Sequence, residues 1–399
     1  MASRAINSKT ADKTLLVLSP DFPNENNNQY SGASFVKNQL EPIKKYFKEI
    51  IVIAPKLFTG GVLNIDKLCQ DYSYDNVTVY YPYSIFYPRS LPPKSLNRHK
   101  VVLDFRAHTV ERLIKKENID FDIIHAHFTW PSAYIAARLK ENYETPMVVT
   151  VHEDSGWLSE ELKDCHPRIR FAWESADALI RVNKKDVPKL RAYNEHTYAI
   201  PNGYSPNFQP KDKLQCRKEL NLPLDKKTIF SIGSLIERKG FNFLIDAMKM
   251  VNEYNKDVMC YICGAGPLKN TLQKQIQNLQ LTDCVKLVGY VPEDLLPVWM
   301  NASDLFVLPS LNEGNPVVMF ECLGCGKPFV GTDVGGVREI VTSEDYGLLV
   351  RPGNVQDLAE KLLIALDRDW DNKKIVAYAR QYSWENIAGR VVRIYNELL

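Results

Sequence analysis

The sequence predicts an α/β protein made of two Rossmann-like, doubly wound parallel-sheet domains. Three observations predict it. Short and almost wholly apolar runs recur, such as Val258-Met-Cys-Tyr-Ile-Cys263 and Asp304-Leu-Phe-Val-Leu-Pro309, and strands buried on both faces of a parallel sheet read this way. Amphipathic helical stretches fall between the runs, which covers both sheet faces with helices. A stretch rich in Pro, Asn and Gly without apolar periodicity, Ile200-Pro-Asn-Gly-Tyr-Ser-Pro-Asn-Phe-Gln-Pro-Lys-Asp212, breaks the pattern in mid-chain and reads as a linker.

Taken in order, the first half offers strands at 14–18, 49–53, 77–81, 121–125, 147–151, 178–182 and 198–200, with helices at 34–47 and 132–142. The second half offers strands at 228–232, 258–263, 285–288, 304–308, 328–331 and 347–349. Helices at 241–254, 267–279, 316–324 and 355–367 alternate with them, and residues 382–399 carry a last helix with apolar Ile387, Val391, Val392, Ile394 and Tyr395. The domain reading is a flexible polar tail at 1–13, an N-terminal domain at 14–205, a C-terminal domain at 206–381 and a closing helix at 382–399.

Bulk properties narrow the function classes. A chain of 399 residues is long for one core. A net charge of +2 creates no global field for nucleic acid. No apolar run is long enough for a transmembrane helix, and the N-terminus lacks the apolar core of a secretory signal. The eight cysteines read as reduced core thiols in a cytoplasmic setting. Cys260 and Cys263 on one strand point to opposite faces, and Cys322 with Cys325 make an incomplete zinc set.

The chemistry concentrates in Leu311-Asn-Glu-Gly-Asn-Pro-Val-Val-Met-Phe-Glu-Cys-Leu-Gly-Cys-Gly326. Asn315 before Pro316 reads as an N-cap with proline at the first helical position. Glu313 then lies in the loop and Glu321 inside the helix. Val317 and Val318 would point unpartnered N–H groups toward the same opening, a ready anion site. A carboxylate on each side of such a site suits a diphosphate held between two polyols. In Ser231-Ile-Gly-Ser-Leu-Ile-Glu-Arg-Lys-Gly240, Arg238 and Lys239 sit where the next helix begins, a poor place for cations unless an anion lies between. The Gly-x-Gly-x-x-Gly of a nicotinamide dehydrogenase is missing there. In Tyr30-Ser-Gly-Ala-Ser-Phe35, Gly32 lets backbone approach a ligand and Ser34 caps a helix. His152 ends a strand in Thr150-Val-His-Glu-Asp-Ser-Gly156, with His125 and His127 ending the neighbouring one; a metal site among them lacks the usual ligand spacing.

These residues together resemble the retaining glycosyltransferases of family 4. The resemblance runs from Leu15 to Leu399. It rests on Glu313 and Glu321 with their glycine-rich continuation, Gly233–Gly240, Pro201-Asn-Gly203, Thr332-Asp-Val-Gly-Gly336, Gly347-Leu-Leu-Val-Arg-Pro-Gly353 and Tyr382-Ser-Trp-Glu385. It implies the GT-B fold, with an acceptor-side N-terminal domain and a nucleotide-sugar-binding C-terminal domain facing a central cleft, and a tail helix returning to the first domain. By position, Arg238 and Lys239 bind the donor diphosphate and Glu321 holds the ribose. Glu313, with Gly314 and Asn315, meets the donor sugar, and the N–H groups of Val317 and Val318 meet phosphate or sugar oxygens. Gly32 approaches the diphosphate, His152 touches the transferred sugar, and Gly264, Tyr290 and Val291 flank the base. Three departures touch the sugar and acceptor pockets: Ser31-Gly32 for a glycine pair, Asn315 for a bulky apolar residue, and Glu153-Asp154 after His152.

The expected reaction is retaining, metal-independent glycosyl transfer from a nucleoside diphosphate sugar to a glycan, lipid-linked or small-molecule acceptor, with no cofactor. A sugar-nucleotide epimerase or a non-catalytic carbohydrate-binding scaffold on the same fold is the alternative. The aromatic, proline-rich stretch Tyr80–Lys94 should be a loop, and it leads into Arg98, Lys100, Arg106, Arg112, Lys115 and Lys116. Rings beside cations suit an anionic membrane surface, the inner face of which would present a lipid-linked acceptor. A solvated basic helix beside a soluble acceptor cleft reads the same residues equally well.

Overall fold

The structure is a computed structural model of the chain and describes residues 9–24, 34–58, 69–85 and 100–399. Several expectations lie outside the described residues: tail residues 1–8, Gly32 with its neighbours 31 and 33, the 86–94 part of the aromatic stretch, and Arg98.

The first sheet has eight strands in the order β10-β9-β8-β7-β1-β2-β5-β4. They are β1 (Thr14–Leu18), β2 (Glu49–Ile53), β4 (Tyr72–Tyr74), β5 (Val77–Tyr80), β7 (Ile123–His127), β8 (Met147–Val151), β9 (Ala178–Arg181) and β10 (Thr197–Ala199). Only β4, against β5, is antiparallel. The parallel strands are apolar because helices such as Tyr134–Tyr143 and Pro167–Ser175 cover them, and the core joins Leu16, Ile51, Ile124, Val149 and Leu179 from the strands to Ile135 and Trp173 from the helices. The second sheet has the order β13-β12-β11-β14-β15-β16, all parallel. Its strands are β11 (Lys227–Ile232), β12 (Val258–Cys263), β13 (Val285–Gly289), β14 (Leu305–Leu308), β15 (Phe329–Thr332) and β16 (Gly347–Val350). In both sheets the order reverses beside the first strand of the half, the switch point where α/β sheets present ligand sites at strand carboxyl ends.

The contacts group the chain into two units. The first takes Met1–Glu153, Trp157–Pro201 and Ile387–Leu399; the second takes Asp154–Gly156 and Asn202–Asn386. The last helix, Trp384–Leu398, buries Ile387, Val391, Val392, Ile394 and Tyr395. Within the first unit, the Tyr395 hydroxyl lies 2.6 Å from His125 Nδ1 and Arg390 Nη2 donates to the Ala199 carbonyl at 2.6 Å.

Two local expectations are corrected. Tyr83–Ile85, expected within a loop, is a short strand (β6) that pairs in parallel with β3 (Lys56–Phe58). Its alternating aromatic and β-branched residues favour an extended pairing that prolines on either side do not forbid. The strand holding His125 and His127 is Ile123–His127 rather than 121–125, so both rings sit inside the sheet and are fully buried. On the basic helix Lys100–Lys116, Arg112, Lys115 and Lys116 are exposed, whereas Arg106 is half-buried and burial lowers its pKa.

A pinned carboxylate and a histidine pair at the strand ends

In the second unit the loops after β11 and β14 meet. The chain leaves β11 at Ile232, makes a tight 3₁₀ turn at Glu237–Lys239 and enters the helix Phe241–Tyr254 through Gly240, whose φ of 65° suits glycine. That turn aims both cations at the loop after β14. Lys239 Nζ donates to Glu313 Oε1 at 2.6 Å, and Arg238 Nη1 donates to Glu313 Oε2 at 3.2 Å and to the Asn312 carbonyl at 2.9 Å. Ser310 Oγ adds a third donor to Glu313, at 2.7 Å. Glu313 is only 5% exposed, and its carboxylate is held from three sides. Neither cation is used up. Arg238 has five N–H donors and spends only Nη1 here, and Lys239 spends one of three.

The glycines behind this cradle allow backbone to approach backbone. A Cβ on Gly264, which follows β12 with φ of 139°, would stand 1.9 Å from the Gly233 carbonyl oxygen. One on Gly335, with φ of 54°, would stand 2.1 Å from the Glu313 carbonyl oxygen. Both loops are therefore closed down onto the site.

The helix Val317–Gly324 starts differently from expectation. Asn315 is not its N-cap. Pro316 holds that place, with φ of −69° and ψ of 121°, and no side chain caps the helix. Asn315 instead binds Asn202: its Oδ1 accepts from the Asn202 N–H at 2.9 Å, and its carbonyl accepts from Asn202 Nδ2 at 2.7 Å. A long-range partner with two bonds wins over one local cap, and the N–H groups of Val317 and Val318 remain uncapped.

Glu321, one turn further, is 8% exposed; its carbonyl accepts from the Cys325 N–H, and its carboxyl group makes no hydrogen bond among the described residues. Burial, then the nearby Glu293 charge, pushes its pKa from the usual 4.5 up to about 8. Glu293 belongs to the turn Glu293–Leu295, just after Tyr290 and Val291; Tyr290 is 52% exposed and Val291 buried. A buried carboxyl with open acceptor capacity suits a polyol. It also carries a stability signature. The folded-state pKa lies above the unfolded one, so Glu321 contributes stability that is fully present below about 4.5 and is lost as pH rises toward 8. Glu321→Gln should therefore flatten the fall in melting temperature between mildly acidic and mildly alkaline buffer, each pKa unit being worth about 1.4 kcal/mol. Equal pH slopes for both proteins would overturn this account.

In the first unit, His152 follows the end of β8 and lies half-buried against Phe35 and Phe128, each ring centroid 4.9 Å away. His127 Nδ1 and His152 Nε2 are 2.9 Å apart, so one ring donates to the other. His127 Nε2 and His152 Nδ1 are buried and have no hydrogen-bond partner. Burial holds His127 at about 3 and His152 well below the usual histidine value, which leaves both rings neutral. His125 is tied up by Tyr395 and Thr150. Among the described residues no group of His, Cys, Asp or Glu side chains comes together in a form able to hold a metal ion. All eight cysteines are free.

Of the residues singled out in the sequence, Arg238 and Lys239 both touch Glu313. Gly314, Asn315, Val317, Val318 and Glu321 continue the same loop and helix, Gly264 follows β12, Tyr290 and Val291 follow β13, and His152 belongs to the other unit. Sequence reasoning passed over Ser310 and gave Asn202 and His127 no role of their own at the site. Asn202 sat in the Pro201-Asn-Gly203 turn and His127 in the His125-Ala-His127 pair, and only their partners give them a part.

Residues 212–382 match the family model described as Glycosyl transferases group 1, and residues 69–208 match that of Glycosyltransferase Family 4. TuaC of Bacillus subtilis (strain 168), a glycosyltransferase whose name assigns it provisionally to teichuronic acid biosynthesis, is 30% identical over 342 residues, covering 82% of this chain and 83% of its own. The D-inositol 3-phosphate glycosyltransferase of Thermobispora bispora is 28% identical over 306 residues, covering 70% of this chain and 71% of its own. Sucrose-phosphate synthase from Thermosynechococcus elongatus superposes with a TM-score of 0.78 at 20% identity, over 97% of this chain and 99% of that one. Anabaena HepE, solved in complex with UDP-glucose, gives 0.71 at 19% identity, over 97% and 100%.

Proposed function

The chain belongs to the group 1, family 4 glycosyltransferases, and from that premise we propose that it transfers a sugar from a nucleoside diphosphate sugar with retention of anomeric configuration and without a metal ion. One observation carries the reading. Arg238 and Lys239 converge on the loop that leads into an uncapped helix start, keep N–H donors to spare, and are anchored by a carboxylate that is itself buried. Such a set is preorganised for the negative charge that grows on a departing diphosphate. In this reading the pair does the work that a divalent cation would otherwise do.

In this reading Glu321 takes the ribose hydroxyls and Glu313 faces the donor sugar with Gly314 and Asn315. Gly264, Tyr290 and Val291 flank the base, and the N–H groups of Val317 and Val318 bind phosphate or sugar oxygens. His152, neutral, donates to or accepts from a sugar hydroxyl. Gly32 completes the diphosphate contacts. No carboxylate stands out as a covalent nucleophile, so the acceptor attacks from the leaving-group side and the departing phosphate oxygen takes its proton. Placement and charge stabilisation do the rest. That HepE was solved with UDP-glucose supports a nucleotide-sugar donor. Proton NMR of the newly formed glycosidic linkage tests the reaction: the anomeric coupling should match the donor's, and an inverted centre would overturn the mechanism.

For the acceptor, a glycan or lipid-linked molecule at an anionic membrane surface fits the exposed Arg112, Lys115, Lys116 and Phe105 on one helix. No helix among the described residues is long and apolar enough to cross a membrane, and the attachment proposed here is to the membrane surface. Anionic liposomes should pull the protein down at low salt and release it at high salt. No co-sedimentation would leave a soluble acceptor.

A further inference from the structure

The first unit holds a fully buried guanidinium that the reaction described above does not use. Arg181 ends β9, in register with Val151 at the end of β8. Its side chain is 0% exposed. Nη1 donates to two carbonyls, Val151 O at 2.8 Å and Glu153 O at 2.6 Å. These are the residues immediately before and after His152. Nη2 donates to Asp186 Oδ2 at 2.7 Å, and this ion pair is wholly out of water. Asp186 is fixed in turn by Asn183 Nδ2 at 3.1 Å and Lys189 Nζ at 2.9 Å.

A buried ion pair is a poor way to gain stability. Apolar side chains of similar volume often serve as well or better, because both charges must be stripped of water. Its value lies in geometry. The parallel ladder between β8 and β9 ends at Val151, and beyond it the chain is free to turn. Two bonds from one planar nitrogen fix the carbonyls on both sides of His152, and with them the backbone angles that aim its ring. The ring is clamped from the other side by His127 and flanked by Phe35 and Phe128. The guanidinium charge also disfavours a proton on His152, in keeping with a neutral ring.

We propose that Arg181 is a positioning residue for His152: through the two flanking carbonyls it holds the imidazole in the attitude that meets the donor sugar. The inference rests on the reading of His152 as a sugar contact. Lysine in place of Arg181 keeps the charge but not the fork that spans two carbonyls and Asp186.

The test is a double-mutant cycle on the full-length protein with Arg181→Lys, His152→Ala and both, assayed for donor hydrolysis with UDP-glucose, GDP-mannose and ADP-glucose. It is read beside ¹⁵N-histidine NMR of the unliganded protein. Arg181→Lys should lower kcat about tenfold with KM little changed, and should cost nothing further in the His152→Ala background. In the spectra, the His152 ring signals, identified by their loss in His152→Ala, should shift, while those of exposed His108 and His196 stay in place. If Arg181→Lys shows no cooperative melt, Asp186→Asn is read for the same two signatures. His152→Ala with wild-type turnover would remove the reading of His152 and this proposal with it. A slow His152→Ala whose loss simply adds to that of Arg181→Lys, or unmoved His152 signals in a folded variant, would overturn the role of Arg181 alone.

Discussion

Glu313→Gln should lower turnover by about 10²–10³-fold, the scale for removing one preorganised charge contact from a transition state. The structure says why so small a change is costly. Glu313 is held by Ser310, Lys239 and Arg238, so its carboxylate sets the place of both cations, and in the proposed reading it also faces the donor sugar. Glutamine keeps the volume and the Ser310 bond but removes the charge. Lys239 and Arg238 then lose the anchor that keeps them in the cradle. Because their side chains are 15% and 37% exposed, water can reach them, and the melting temperature should drop by only a few degrees. Steady-state kinetics with a thermal melt checks both halves. Wild-type turnover in a folded variant would remove Glu313 from the site.

The second large effect belongs to the cations themselves. Lys239→Ala and Arg238→Ala should each cost about 2–5 kcal/mol of transition-state stabilisation, the range for truncating a desolvated charge contact. Lys239 is the more buried of the two and sits nearer the carboxylate, so its loss should be the greater. Arg238→Lys should be intermediate, since a single ammonium cannot serve Glu313, the Asn312 carbonyl and a phosphate together. Activity should survive EDTA at full rate. Loss in chelator with recovery in magnesium or manganese would show that a metal, and not this pair, meets the diphosphate.

Much of the molecule was legible without coordinates because its signals are local. A buried parallel strand must be apolar on both faces, so Thr14–Leu18, Glu49–Ile53, Met147–Val151 and Val258–Cys263 could be bounded from their own residues. Helix 241–254 and helix 355–367 announced themselves by period and by the residues at their ends. Where the local signal was mixed, reading failed. Prolines hid the strand Tyr83–Ile85, whose pairing partner lies about 27 residues earlier in β3. Arg106 read as one more solvated cation, and its burial depends on what packs around the helix.

The site divides in the same way. The residue types and spacing at Arg238, Lys239, Glu313 and Glu321 follow from the chain order of strand, loop and helix, so the sequence alone determined which side chains stand at the carboxyl ends of the second sheet. Tertiary structure decided whom they meet. Glu313 finds its cations 74 and 75 residues away, and Asn315 gives up a helix cap for Asn202, 113 residues away. Glu321 became a buried carboxyl only when the surrounding core closed over it, with the Glu293 charge nearby. The histidine pair and the Arg181 brace exist because β7, β8 and β9 lie side by side in register. Periodicity and capping are set by neighbours within a few residues, and a sequence displays them. Desolvation and partner choice depend on what the rest of the fold brings within about 4 Å, and no local pattern records that.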